Sequence, residues 1–340
     1  MQMKNEHQQG VIEEFEKKIQ RLENRLEKDK EEKEKLQKQL SVVLTENAEL
    51  KIHRSLMVLS GYESKTEYLS YFLKPNGYQI PRAINMPSSS NAHHYLYASI
   101  SALIYGNVYI FGGWSEYKFR IAVISGCEIQ ELENKLNFNY DWNSAALTAA
   151  NQQSALLCFP NDEEWKKCEE FDGTSISMKP ATKYSHKASC LAFLNDEVIV
   201  VSSWEYDGPK KVENFNGVSW AQRGDFPKAI YLHSCIGVHH GYLLFGGQYE
   251  DQGEYYHPKD VYLLRKSEWT VVGQLKKGHT YSSATKIGNT IYLVSGSSKP
   301  FAVEKLEWDG EKISSAKVIS DHSSEFYRPI IFPVDKFYCA

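Results

Sequence analysis

Short apolar runs, each closed by small residues, recur along the chain at nearly even intervals. The two clearest runs are residues 107–113 (NVYIFGG) and 241–247 (GYLLFGG), which both end in a double glycine. Weaker copies follow the same scheme at residues 56–61, 155–160, 198–203 and 291–296. A short apolar run of this length, bounded by turn residues, predicts a strand. The starts fall about every 43–52 residues, an interval typical of the blades of a β-propeller.

The second half of each unit contains a tight turn. An Asp-Gly or Asn-Gly pair at residues 172–173, 216–217 and 309–310 separates two extended runs. These pairs are the strongest short hairpin signal, because both turn residues must tolerate positive φ. An earlier turn also precedes the double-glycine run, as at residues 106–107. Each unit is therefore predicted to form four antiparallel strands, which is the composition of a propeller blade.

The double glycine, the polar loop after it and the spaced pair Tyr262 and Trp269 resemble the kelch repeat. The resemblance covers residues 55–340 and implies an all-β, six-bladed kelch-type β-propeller. Six complete loop–strand–turn–strand halves support this number of blades, and they start near Thr66, Phe119, Lys166, Lys210, Lys259 and Phe301. The first unit lacks an innermost strand, which the run at 327–334 could supply. A further run at 337–340 would be the outer strand of a seventh blade, and that alternative stays open.

The N-terminal segment has a different pattern. Residues 1–55 contain 12 Lys or Arg, 12 Asp or Glu and no proline. Apolar residues repeat with a period of seven, at Ile12, Phe15, Ile19, Leu22, Leu26, Leu36, Leu40, Val43 and Leu50. This spacing predicts a coiled-coil helix over residues 10–53 and a homodimer, and Asn47 at an a position favours two strands. The alternative is a lone charged helix, which would leave its apolar stripe exposed.

Composition narrows the classes of partner and compartment. The net charge is −4, so the basic stripe expected of a nucleic-acid-binding protein is absent. The six cysteines lie mostly inside strand patterns without CxxC spacing, which predicts buried reduced thiols. The polar start of the chain and the lack of a glycosylation sequon favour a cytoplasmic location. The uncharged stretch 95–115 could span a bilayer by length, but its glycines fall where the repeat places turns, so we expect a strand pair.

No motif in the sequence specifies catalysis. HExxH, P-loop, GxSxG and GxGxxG patterns are all absent. The His pairs 93–94 and 239–240 cannot readily bind one metal, because neighbouring residues of a strand point to opposite faces. We therefore expect no enzyme activity, no metal and no cofactor. Copper-radical oxidases form one kelch-like group, however, so a metal-dependent propeller oxidase stays an alternative.

Aromatic residues gather in two sets of connections, one before the first strand of each unit and one after the double glycines. A kelch ring would bring both sets to one face, around the mouth of the channel. Aromatic and Arg side chains are the usual anchors of protein interfaces. The predicted binding residues are Trp114, Tyr117, Tyr184, His186, Trp204, Tyr206, Tyr231, His233, Tyr249, Tyr255, Tyr256, Tyr281, Tyr327 and Arg328. For the first set, packing between blades is the competing interpretation.

The sequence thus favours a non-catalytic oligomeric adaptor or scaffold. The propeller would bind a protein partner through its loop face, and the coiled coil would present two propellers together. An actin-crosslinking or other cytoskeletal role is the structural alternative. Neither nucleic acid nor membrane is expected as a partner.

Overall fold

The chain divides into two compact units, Met1–His53 and Arg54–Ala340. A computed structural model describes residues 18–28, 30, 55–61, 68–87, 96–161, 165–294, 302–321 and 328–334. In the first unit the described residues are helical, and Ile19, Leu22 and Leu26 are exposed along one stripe. An exposed apolar stripe is available to a second helix. The other heptad positions, from Ile12 to Leu50, lie outside the described residues, so the coiled coil and the homodimer stay predictions.

The second unit is built from strands, which we number in chain order. They are β1 (Ser55–Gly61), β2 (Tyr68–Leu73), β3 (Gln79–Pro81), β4 (Ser99–Ile104), β5 (Asn107–Gly112), β6 (Arg120–Ser125), β7 (Glu128–Lys135), β8 (Ala145–Thr148), β9 (Ala155–Cys158), β10 (Cys168–Phe171), β11 (Ile176–Lys179), β12 (Leu191–Leu194), β13 (Glu197–Val201), β14 (Val212–Phe215), β15 (Trp220–Gln222), β16 (Ser234–Val238), β17 (Gly241–Phe245), β18 (Tyr249–Asp251), β19 (Glu254–Tyr256), β20 (Asp260–Arg265), β21 (Glu268–Gln274), β22 (Ser283–Ile287), β23 (Thr290–Val294), β24 (Ala302–Trp308), β25 (Ile313–Asp321) and β26 (Ile330–Val334). A short 3₁₀ helix, Ser115–Phe119, lies between β5 and β6.

The described strands form six four-stranded antiparallel sheets, which are the blades of a propeller. Blades 2 to 6 are β4-β5-β6-β7, β8-β9-β10-β11, β12-β13-β14-β15, β16-β17-β20-β21 and β22-β23-β24-β25. Blade 5 carries an extra hairpin, β18-β19, between its second and third strands. The all-β, six-bladed architecture is confirmed. The run at 337–340 lies outside the described residues, so its role as the outer strand of a seventh blade is not tested.

Blade 1 is completed by the far end of the chain. β26 pairs antiparallel with β1, and Ser55 lies opposite Val334 while Leu59 lies opposite Ile330. The sheet order is β26-β1-β2-β3, so the C-terminal strand is the innermost strand of the first blade. This is the ring closure that the sequence predicted.

The core lies between neighbouring blades. Along β1, Met57 and Leu59 pack into a cluster shared with blade 2, whereas Leu56 and Val58 pack into a cluster shared with blade 6. Each strand alternates its side chains between two faces, and both faces are buried here, which explains the continuous apolar runs. Four more clusters join blades 2 to 3, 3 to 4, 4 to 5 and 5 to 6. The ring is therefore held by blade-to-blade packing over its whole circumference.

Local chemistry fixes the outer hairpins. Asp172 accepts hydrogen bonds from the backbone N–H groups of Thr174 and Ser175, at 2.8 and 2.7 Å. Ser175 Oγ also donates to Asp172 Oδ2 at 2.7 Å, and this bond, followed by the backbone bonds, holds the pKa of the Asp172 carboxyl well below its usual range. Gly173 follows at φ +98°, a conformation that glycine adopts without steric cost. Asp309 makes the same turn with Glu311 and Lys312 as donors.

Four cysteines form two disulfides, so the expectation of reduced thiols is wrong. Cys158 and Cys168 face each other on β9 and β10 with Cα atoms 4.2 Å apart. Cys190 and Cys235 join blades 4 and 5 with Cα atoms 6.1 Å apart. Cys127 is disulfide-bonded as well. Strand register brings these residues together, and no local spacing in the sequence shows it.

The uncharged stretch around β4 and β5 is a strand pair, as predicted. Among the described residues, no helix combines the length and the apolar character needed to cross a membrane.

Candidate functional site

A chain of backbone hydrogen bonds runs around one mouth of the central channel. The N–H of Ala188 donates to the carbonyl of Asn143 at 2.8 Å, and the N–H of Leu232 donates to the carbonyl of Ala188 at 2.7 Å. Tyr281 then donates to Leu232 at 3.1 Å, and Arg328 donates to Tyr281 at 2.8 Å. Each residue lies just before the first strand of its blade. The mouth is therefore a rigid frame that links blades 3, 4, 5, 6 and 1.

Four of these frame residues adopt a left-handed backbone, and so does Ala98, which lies just before the first strand of blade 2. Ala98, Ala188, Leu232, Tyr281 and Arg328 have φ values of 62°, 60°, 59°, 51° and 49°. A residue with a side chain adopts this conformation at a cost of roughly 1–2 kcal/mol. Such positions persist only where the surrounding structure enforces them, and they cluster at functional sites. Here the repeated turn directs the innermost strand of five of the six blades into the channel wall.

Arg328 reaches across the channel. Its Nη1 donates to the carbonyl of Ser144 in blade 3 at 2.8 Å, and its Nη2 donates to the carbonyl of Ser189 in blade 4 at 2.6 Å. Blade 4 lies opposite blade 1 in a ring of six, so the side chain spans the mouth. Burial lowers the pKa of Arg328 to about 10, while the nearby Tyr281 and Asp141 act in the opposite direction. The guanidinium is therefore a cation at neutral pH.

His233 lies beside this cation and is 1% exposed. Within the described part of the chain, neither of its ring nitrogens has a hydrogen-bond partner. Burial, followed by the positive charges of Arg328 and His186, lowers the pKa of His233 to about 3. The imidazole is therefore neutral, with one N–H donor and one nitrogen acceptor to offer.

Two other buried histidines, His186 of the predicted set and His279, have structural partners. His186 Nε2 lies 3.0 Å from Glu213 Oε2, and His186 Nδ1 lies 2.9 Å from the carbonyl of Ser202. His279 Nε2 lies 2.9 Å from Glu304 Oε2. Both pairs are fully buried. They tie the segment before a blade to the third strand of that blade, so His186 acts in packing and not as an exposed anchor.

The carboxylates of these pairs recur at one position of the repeat. Glu169 and Glu213 are the second residues of third strands, and Glu304 is the third residue of its third strand. All three are buried, and they lie opposite Leu157, Val200 and Leu293 of the neighbouring second strands. Glu213 accepts hydrogen bonds from the backbone N–H groups of Lys183 and Tyr184, at 2.9 and 3.0 Å. Sequence reasoning missed this position, although a carboxylate near the start of each third strand was a usable signal.

The channel mouth encloses a cavity of about 180 Å³. The first strand of every blade, or the residue before it, contributes to its wall. The lining contains Ser99, Ser101, Cys190, His233, Ser234, Cys235, Ser282, Ser283 and Arg328, with small apolar residues between them. Among the described lining residues, Arg328 carries the single formal charge. Both members of the Cys190–Cys235 disulfide also line the cavity.

Aromatic loop residues surround this mouth. Trp204 stacks on Tyr231, with ring centroids 5.2 Å apart and planes 2° from parallel. Trp142 meets Tyr281 edge-on at 5.0 Å. Tyr231 is itself buried, and its hydroxyl accepts a hydrogen bond from Gln248 Nε2 at 2.9 Å. Tyr231 and Tyr281 therefore support the surface from below.

The outer layer is exposed, and we refer to five residues as the aromatic rim: Trp114, Trp204, Tyr206, Tyr255 and Tyr256. Tyr206 is 100% exposed. Tyr255 and Tyr256 lie on the β18-β19 hairpin, where Tyr249 stacks on Tyr256 at 5.3 Å. The rim draws on loops of blades 2, 4 and 5, which differ in sequence.

The remaining predicted residues do not join the rim. Tyr117 is half-buried, with the guanidinium of Arg120 over its ring at 5.5 Å. Tyr184 is half-buried, and its hydroxyl donates to Gln222 Oε1 at 3.0 Å. Tyr327 lies outside the described residues. The structure thus separates the predicted set into an exposed rim, a supporting layer and a channel pair, His233 and Arg328.

Comparisons with known proteins bear on the fold. No protein-family model matches the sequence, and no curated protein matches it. Among solved structures, one described as "Structure of YjhT" is similar with a TM-score of 0.59 and 12% identity, over 77% of this chain and 97% of that chain. Likeness at this identity shows the fold alone. Membership of the kelch family stays a prediction.

Proposed function

We propose that the chain is a non-catalytic binding module that recognises a protein partner through the aromatic rim. The observation that carries the proposal is the exposure of five large aromatic side chains on the loops of one propeller face. Loops on a rigid scaffold are where binding residues concentrate. Tyr and Trp are enriched among the residues that contribute most to protein interfaces.

The rim is organised before any partner arrives. Trp204 is stacked on Tyr231, and Lys187 Nζ lies 5.1 Å from the centre of the Trp204 ring. Lys187 is held in turn by Glu205 Oε1 at 2.8 Å. An aromatic side chain fixed in this way loses little conformational freedom on binding. The arrangement suits a protein partner, because a protein interface has an apolar centre for the aromatic rings and charged residues at its periphery for Lys187 and Glu205.

Oligomerisation would strengthen this function. The exposed stripe of Ile19, Leu22 and Leu26 supports the proposal of a coiled-coil homodimer. Two linked rims bind a partner with two sites more tightly than one rim does, by ~10²–10⁴ where the geometry allows both to engage. The chain would then serve as an adaptor or scaffold.

The compartment also enters the proposal. Disulfides persist in oxidising compartments and are rare in the cytosol. The Cys158–Cys168 and Cys190–Cys235 bonds therefore favour a secretory or extracellular setting over the cytoplasmic location expected from the sequence. The partner would then be a protein met in that setting.

Site-specific photo-crosslinking tests the rim. A photoreactive amino acid replaces Tyr206 in the full chain, and in a matched control it replaces Val218. Val218 is also an exposed apolar residue of the same blade, in the β14–β15 turn at the opposite end. We expect a specific partner adduct from position 206, lost when Trp204→Ala is added, and none from position 218. Equal adducts from both positions would contradict a rim-directed interface.

A further inference from the structure

We propose that the channel mouth is a binding site for a small organic carboxylate, held between the guanidinium of Arg328 and the imidazole of His233. This ligand site is separate from the aromatic rim and does not depend on a protein partner. It lies at the base of the mouth, in the cavity of about 180 Å³.

Arg328 supplies the charge for this site. Two of its N–H groups donate to the carbonyls of Ser144 and Ser189, which fixes the plane of the guanidinium without neutralising it. A guanidinium carries five N–H groups, so three have no partner within the described part of the chain. Arg and carboxylate form charge-assisted hydrogen bonds that are about twice as strong as neutral ones.

The nearest acidic group does not take this role. Asp141 is buried, and its two oxygens accept hydrogen bonds from the backbone of Asn143 at 2.8 Å and from Asn161 Nδ2 at 2.7 Å. Burial raises the pKa of Asp141, while those hydrogen bonds and the charges of Lys118 and Arg328 act against the rise. Asp141 therefore acts from within the channel wall, where it makes the electrostatic potential of the mouth less positive. The guanidinium of Arg328 keeps its remaining N–H groups for a ligand.

His233 supplies the second contact. An unpartnered buried polar group costs about 1–3 kcal/mol, and most buried polar side chains in native structures have a partner. His233 lines the cavity, is almost fully buried, and has no partner among the described residues for either ring nitrogen. A carboxylate oxygen accepts a hydrogen bond from a neutral imidazole N–H, which satisfies this group. His233 and Arg328 both line this one cavity, so one ligand can contact both side chains.

The lining selects the class of anion. One cation and one neutral imidazole match the single charge of a carboxylate, whereas a dianion such as phosphate would bury a second, uncompensated charge. Ser234 Oγ donates to the carbonyl of Ser282 at 2.7 Å, and the two hydroxyl oxygens lie 2.6 Å apart, which makes the wall polar. A cavity of about 150 Å³ accepts a molecule of the size of benzene, so a carboxylic acid of a few carbons fits.

The experiment follows the imidazole of His233 by NMR in full-length protein with isotope-labelled histidine. Sodium acetate is added at pH 7, with sodium chloride at equal ionic strength as the reference. We expect a saturable shift of the His233 resonance with acetate and none with chloride. Arg328→Gln should abolish it, whereas the matched variant Lys210→Gln, which removes an exposed cation outside the cavity, should keep it.

A second variant keeps the inference testable if Arg328→Gln does not fold. His233→Asn leaves the Arg328 bonds in place, and we expect at least a tenfold loss of acetate affinity by calorimetry. The proposal is overturned if acetate and chloride act alike, or if His233→Asn binds acetate as tightly as the unmodified protein. Tighter binding of inorganic phosphate than of acetate would overturn the carboxylate class.

Discussion

Replacing Arg328 tests whether its side chain stabilises the propeller by linking blades on opposite sides of the channel. In Arg328→Met the two bonds to the carbonyls of Ser144 and Ser189 are lost. A hydrogen bond to a charged group contributes about 1.5–3 kcal/mol, but water in the channel can reach these carbonyls and offset part of the loss. We therefore expect the free energy of unfolding to fall by about 2–4 kcal/mol.

The assay is differential scanning calorimetry of the full chain. A change of 1 kcal/mol shifts the Tm by about 2 °C for a domain of this size, so the Tm should fall by about 4–8 °C. The matched control is Arg223→Met, because Arg223 Nη1 also bridges neighbouring blades, donating to the carbonyl of Lys266 at 3.0 Å, but does so at the exposed surface. The control should lose less than about 1 kcal/mol. Equal losses in the two variants would refute the idea of a cross-channel tie.

Two further predictions concern the disulfides and acid stability. Replacing the Cys190–Cys235 pair by serines should cost about 4 kcal/mol and replacing the Cys158–Cys168 pair about 2.7 kcal/mol, because the loops span 45 and 10 residues, respectively; urea unfolding measures the difference, and the reverse order would contradict the loop-entropy argument. For Glu213, burial acts to raise the pKa, but hydrogen bonds from His186 and two backbone N–H groups outweigh it and lower the pKa below 4.5. The stabilisation that Glu213 contributes to the folded state is present above 4.5, its pKa in the unfolded chain. It is lost as the pH falls through the lower pKa that Glu213 has in the folded protein. Glu213→Gln should therefore lose less stability than the unmodified protein between pH 7 and pH 3, and parallel pH curves would count against the assignment.

The sequence predicted those features of the fold that depend on interactions between residues close together in the chain. Turn pairs such as residues 172–173 and the uninterrupted apolar runs act over a few residues, so the blades and their number could be counted without coordinates. The closure by β26 followed because one blade was short of a strand.

Contacts across the ring could not be predicted in this way. His186 and Glu213 are 27 residues apart, and Arg328 meets Ser144 over a separation of 184 residues. Arg328 was therefore predicted as an exposed anchor, although it spans the channel. Exposure was easier to infer for Tyr206, because a loop that follows a strand end has no neighbouring blade to cover it.

The pairing of β1 with β26 has a consequence for biosynthesis. About 270 residues separate the two strands, and translation proceeds at about 5–20 residues per second, so β1 waits roughly 14–55 s for its partner. During that interval the edge of β1 that will bind β26 is an unpaired apolar strand, which is a template for aggregation. The cell must shield this edge until β26 emerges, so the nascent chain is expected to be a client of chaperones during that interval.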